Sequence, residues 1–306
     1  MSLISSGVVA LRDGAVRCDV VPQFGGAIAG FWWESATARL DWLRPASAAA
    51  IARGAVEAMG CIPLVPYGHR IRNARFRFCG QDVCDASRDG EHRALNGHGW
   101  RRTWNVVERA AACVVMEYRH EPDGWPWPYR AWQTVSLADG ALTLTLAVEN
   151  LSDAALMPVG IGFLPAFPVA GGATLAAATG GVWQCDSESL PRELTAVPPE
   201  WNFADGRTIS GAALDHVFTA WNGHATVAWP RRASSVALAG DWPMLSFLAV
   251  AAAPEWDYFR VGPCSHCGDA VNLARLGVAD TGIRVLTPGS ARQAKLVLAP
   301  TSGQGF

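Results

Sequence analysis

Apolar and polar residues alternate without a break through Ala141-Leu142-Thr143-Leu144-Thr145-Leu146-Ala147-Val148-Glu149-Asn150, with Leu142, Leu144, Leu146 and Val148 on one side. A period of two places them on one face of an extended segment, so this stretch reads as a half-buried strand. Shorter runs rich in β-branched and aromatic residues predict further strands over 16–21, 27–33, 75–79, 106–109, 114–120, 130–137, 217–221, 225–229, 236–239, 245–249 and 293–298. Turn residues separate nearly all of them. A helix is predicted only over 46–59. So many short strands joined by Gly- and Pro-rich connections indicate an all-β fold, a large antiparallel β-sandwich or barrel, and not alternating βαβ units.

Composition sharpens this picture. Half of the 306 residues are hydrophobic and 17% are charged, enough apolar material for a large core, while 31 Gly and 19 Pro supply the turns. No repeat, low-complexity tract or charged linker marks a boundary, which predicts one domain over 1–306. The net charge is -2 and the 25 basic residues are scattered, so no field forms for nucleic acid, and the expected ligand is neutral or nearly so. No apolar run reaches membrane-spanning length, and Met1–Ser6 lacks a basic segment followed by an apolar core, so a cytoplasmic protein without a membrane partner is expected, as monomer or homodimer.

Two local clusters invite other chemistry. Cys264-Ser265-His266-Cys267 offers thiolate and imidazole ligands, but one short cluster does not make a four-ligand zinc site. Cys79 and Cys84 are spaced too widely for a finger pair, so the eight cysteines are expected to be mostly buried free thiols, with no metal and no cofactor. Phe24-Gly25-Gly26-Ala27-Ile28 lacks the glycine spacing and the lysine of a phosphate loop.

Five segments appear in order: Pro63-Leu64-Val65-Pro66-Tyr67-Gly68-His69-Arg70-Ile71, Leu95-Asn96-Gly97-His98-Gly99-Trp100, Gly160-Ile161-Gly162-Phe163-Leu164-Pro165, Leu214-Asp215-His216-Val217-Phe218 and Gly262-Pro263-Cys264-Ser265-His266. Together they resemble the aldose 1-epimerase (galactose mutarotase) family, over a span from about Val20 to about Lys295. The resemblance implies the galactose mutarotase-like supersandwich fold, a small-molecule sugar substrate and no cofactor. It also implies acid/base opening of a pyranose ring, which needs one group to take the anomeric hydroxyl proton and another to protonate the ring oxygen.

The residues that would carry those protons are changed. Leu164 stands where the family has its acid histidine, and Gly262 where it has its base glutamate; neither side chain can transfer a proton. The family's His-Gly pair falls either on Asn96-Gly97 or on His98-Gly99. If that segment is extended, positions 96 and 98 face the same side, and His98 can stand in for a residue at 96. The resemblance then implies a binding shell of Arg70, His69, Asn96, Asp215 and Trp100, with His98 and His266 as substitute catalytic groups. Fourteen Trp are too many to serve only a cleft, and most must fill the core. Trp100, Trp127, Trp201 and Trp221 lie near the candidate residues and are candidates for a stacking wall against sugar C–H faces, although core packing is the default for any one of them. Three functions remain open at this point: an anomer-interconverting isomerase with relocated groups, a sugar-binding protein of the same fold without catalysis, or different chemistry on the same scaffold, such as isomerisation of another sugar derivative.

Overall fold

The computed structural model describes residues 7–85 and 94–302; the Met1–Ser6 segment read above lies outside them. Two antiparallel sheets of 11 and 9 strands dominate, and residues from both form one hydrophobic cluster, to which the first contributes Phe31 and Phe167 and the second Leu144 and Leu296. This is the expected large antiparallel sandwich.

The 9-stranded sheet turns one face to solvent, and its strands keep the alternation visible in the sequence. In Tyr129–Ala138 and Ala141–Asn150 every second residue is buried, and the two pair along their whole length from Tyr129 opposite Asn150 to Ala138 opposite Ala141. The 11-stranded sheet is different. Its central strands Cys61–Leu64, Gly162–Pro168, Tyr258–Cys264 and Phe247–Ala252 are buried almost throughout, because a second apolar cluster containing Ile62, Trp100, Trp183, Val217, Ala249 and Cys264 covers its outer face.

Two expectations about helices change. The predicted helix over 46–59 is a short one, Ala48–Arg53, followed by a 3-10 turn at Val56–Ala58. The Ser47 side chain accepts from Ala50 N at 3.1 Å to cap its start, and Gly54 at φ 65° ends it, since the left-handed conformation stops helix propagation. A second helix, Ala270–Arg275, follows the last motif and docks beside the Arg75–Phe78 strand. No helix among the described residues is long and apolar enough to cross a membrane.

Candidate functional site

The outer face of the 11-stranded sheet carries a cleft of about 380 Å³. Its residues come from alternate positions of adjacent strands, as pleating requires: Trp183 and Cys185 on one, Asp215 and Val217 on the next, then Ala249 and Ala251, Tyr258 and Arg260, Leu164, and Ile62. Loops close it with His69, Arg70, Asn96, Trp100, Ser189, Glu57, Arg44 and Trp256. Trp256 and Tyr258 stack with centroids 4.9 Å apart and planes 5° from parallel, and Arg44 lies over the Tyr258 ring at 4.2 Å. The indole nitrogen of Trp183 is buried without a hydrogen-bond partner.

The polar half is held by loop geometry. Asn96 sits at φ 58° and Gly97 at φ 64°, so the chain turns sharply here. A Cβ at Gly97 would come within 2.4 Å of Val65 O, so only glycine permits this approach. The turn lets the Asn96 side chain accept from His69 N at 2.8 Å while Asn96 N donates to His69 O at 2.9 Å, a reciprocal clamp that fixes His69 at the cleft. The His69 Nε2 lies 3.3 Å from Cys264 Sγ. Burial pushes the His69 imidazole down to about 4, against the pull of the nearby Asp215 charge, so at neutral pH the ring is uncharged. Asp215 accepts a short hydrogen bond from Ser189 Oγ. Burial drives the Cys264 and Cys185 thiols up to about 12, with Asp215 adding to the effect at Cys185, so neither is a thiolate nucleophile.

The two altered positions face each other. Gly162 pairs with Cys264 and Ala166 with Arg260, and the register between them sets Leu164 opposite Gly262. A Cβ at 262 would meet Leu164 Cδ1 at 2.6 Å and Phe163 O at 2.9 Å. Leu164 therefore occupies the space a side chain at 262 would need, and the two changes form one coupled packing unit.

A profile of the family described as aldose 1-epimerase matches residues 7–247. The chain belongs to the aldose 1-epimerase family. The uncharacterised protein YphB of Escherichia coli K12 is 27% identical over 270 residues, which is 86% of this chain and 89% of YphB. Among solved structures, an Escherichia coli K12 protein provisionally named an aldose 1-epimerase superposes with a TM-score of 0.86 at 24% identity, covering 96% of this chain and 99% of its own. A galactose mutarotase-like protein from Clostridium acetobutylicum reaches 0.84 at 16% identity, with 96% and 95% covered. At these identities the structural likeness speaks for the fold.

Of the residues singled out from the motifs, His69, Arg70, Asn96, Trp100 and Asp215 converge on the one cleft. His98 and His266 do not line it. The expectation that 96–98 is extended is corrected: the positive φ at Asn96 and Gly97 swings His98 away, so that its Nε2 lies 3.1 Å from Asp85 Oδ1 and its Nδ1 3.2 Å from Tyr129 OH. There it stacks on His120 with centroids 4.5 Å apart. Although burial opposes it, the His98 hydrogen bond holds the Asp85 carboxyl below its usual range. His266 is 1% exposed and its Nε2 accepts from Gly68 N at 2.9 Å; burial, then the neighbouring His69, push it down to about 3. A Cβ at Gly160 would strike this ring at 2.4 Å, which marks His266 as a packed staple beneath the motif loop.

Of the four candidates for an aromatic wall, only Trp100 lines the cleft. Trp127 packs in a cluster with Phe76 and Trp125, Trp201 lies 4.4 Å from the His216 ring, and Trp221 is fully buried with Nε1 donating to His224 O. Trp183 and Trp256 take their places beside Trp100 at the cleft. Sequence reasoning missed these two, and also Arg260; the only signal for Arg260 was its position two residues before Gly262 on a strand, hence on the same face. Among the described residues, the side chains able to converge on a cation are Asp85, His98 and Asp123, with ligand atoms within 4.8 Å of one another, away from the cleft.

Proposed function

We propose that the protein binds an aldose-type sugar in this cleft and acts on its anomeric centre as an isomerase, with His69 transferring protons and Asp215 supporting it electrostatically in place of the groups that positions 164 and 262 no longer supply. The observation that carries this reading is the convergence of an uncharged imidazole and a carboxylate on one sugar-sized, aromatic-walled pocket in a member of the aldose 1-epimerase family. The neutral His69 imidazole takes the anomeric hydroxyl proton, Asp215 stabilises the imidazolium that forms, and the imidazolium returns a proton to the ring oxygen as the ring C–O bond breaks and the anomeric carbonyl forms. Trp100, Trp183 and Trp256 supply apolar faces for the ring C–H bonds, while Arg70 and Asn96 offer donors for hydroxyls.

The packing of Leu164 against Gly262 favours a second reading, a sugar-binding protein without turnover. Proton NMR of freshly dissolved α-glucose and α-galactose separates the two. Faster equilibration of the anomeric signals in the presence of the protein supports the isomerase; line broadening of a sugar without faster equilibration supports the binding protein and sinks the first reading.

A further inference from the structure

Arg260 is 8% exposed, yet it lines the cleft. Its Nη1 donates to Leu164 O at 3.2 Å and its Nη2 to Glu57 O at 2.7 Å, and the guanidinium lies 5.4 Å from the Tyr258 ring centre. These are dipoles and a ring face; no carboxylate among the described residues forms an ion pair with it. Burial lowers its pKa, the sign of a charge held out of water. A buried cation without a counter-charge is costly, so a ligand that supplies the missing charge gains by pairing with it.

The surroundings support the same reading. Arg44 stacks on the other contact of this group, the Tyr258 ring, and its own partner, Asp257, is 77% exposed at 3.3 Å, an ion pair weakened by water. Three guanidiniums line the cleft, Arg44, Arg70 and Arg260, against two carboxylates, Glu57 and Asp215. The unpaired Trp183 indole N–H adds a buried donor that seeks an acceptor.

We infer that the natural ligand is a sugar bearing an anionic substituent, a carboxylate or a phosphate, whose charge is neutralised by Arg260 with Arg44 beside it. This rests on the sugar-binding reading above and replaces the neutral ligand expected from net charge: the cleft has its own local field, set by which side chains face it and not by the sum over the chain. The guanidinium fork suits either planar or tetrahedral oxyanions, so the two sources share one recognition chemistry.

Calorimetric titration of the whole protein with matched probes tests this: glucose and galactose, their uronates, and glucose 6-phosphate. At least one anionic probe is expected to bind ten-fold or more tighter than its neutral parent. That advantage should shrink with added salt, survive in part in Arg260→Lys and vanish in Arg260→Gln. Comparing the uronates with glucose 6-phosphate tells carboxylate from phosphate. Because Arg260 is buried, the wild-type salt dependence and the rim variant Arg44→Gln, expected to weaken the same probe several-fold, carry the test if Arg260→Gln fails to fold. Neutral sugars binding as well as all their anionic partners would overturn the inference and leave the sugar-binding reading standing. Binding of no probe, neutral or anionic, would overturn both.

Discussion

Adding a methyl group at position 262 should cost stability, and the cost of removing Leu164 as well should be less than additive. A Cβ at Gly262 meets Leu164 Cδ1 at 2.6 Å and the Phe163 carbonyl at 2.9 Å, where ordinary contact begins near 3.4 Å. Overpacking of this kind costs about 1–3 kcal/mol. Leu164→Ala removes a half-buried side chain from the cleft wall, a loss of about 1 kcal/mol from the value of roughly 1.5–3 kcal/mol for a fully buried one. In the double variant the side-chain clash is gone and only the backbone contact remains. The combined cost should fall short of the sum by about 1 kcal/mol or more. Urea denaturation of wild type, Gly262→Ala, Leu164→Ala and the double variant measures this cycle, provided the m-values agree. Costs that add to within about 0.5 kcal/mol would refute the view that these positions are one packing unit.

Three further outcomes follow from the same contacts. Gly262→Glu alone should yield a destabilised protein without conventional mutarotation, because the new stem must pass Leu164; urea denaturation and NMR of the anomeric signals read the two effects. His266→Leu leaves Gly68 N–H buried without an acceptor and should cost about 1–3 kcal/mol in urea denaturation, with His266→Gln, able to accept in its place, costing less. Stability should fall as pH drops below about 6.5, the ordinary histidine value. The unfolded chain then takes up protons that folded His69 and His266, held down to about 4 and about 3, refuse. The slope is about 1.4 kcal/mol per pH unit for each ring until the folded values are reached. His120 and His216 shift in the same direction, so His266→Gln should reduce the slope without removing it, and a flat profile between pH 6.5 and 5 would contradict the assignment of neutral buried rings.

What could be read from the sequence followed from where water touches the fold. Ala141–Asn150 and Tyr129–Ala138 have one wet face, and their alternation announces them. Cys61–Leu64, Gly162–Pro168 and Tyr258–Cys264 are covered on both faces, so they carry no period of two, and the prolines and glycines inside them read as turns. Those hidden strands are the ones that build the cleft floor. The motif residues His69, Asn96 and Asp215 were legible because they sit in recognisable segments, whereas the direction of His98 depended on two left-handed residues that only the backbone reveals. Trp183 and Trp256 stand outside every motif, and nothing short of the sheet order brings them beside Trp100.

On the proposed function, chemistry belongs to His69 in the cleft and not to His98 in its aromatic cluster. Anomeric exchange of a sugar that the protein binds, followed by proton NMR with wild type, His69→Gln and His98→Gln, decides between them. His69→Gln should lose the acceleration, while His98→Gln should keep it within a few-fold after correction for folded fraction. Acceleration that survives in His69→Gln and disappears in a folded His98→Gln would contradict that assignment.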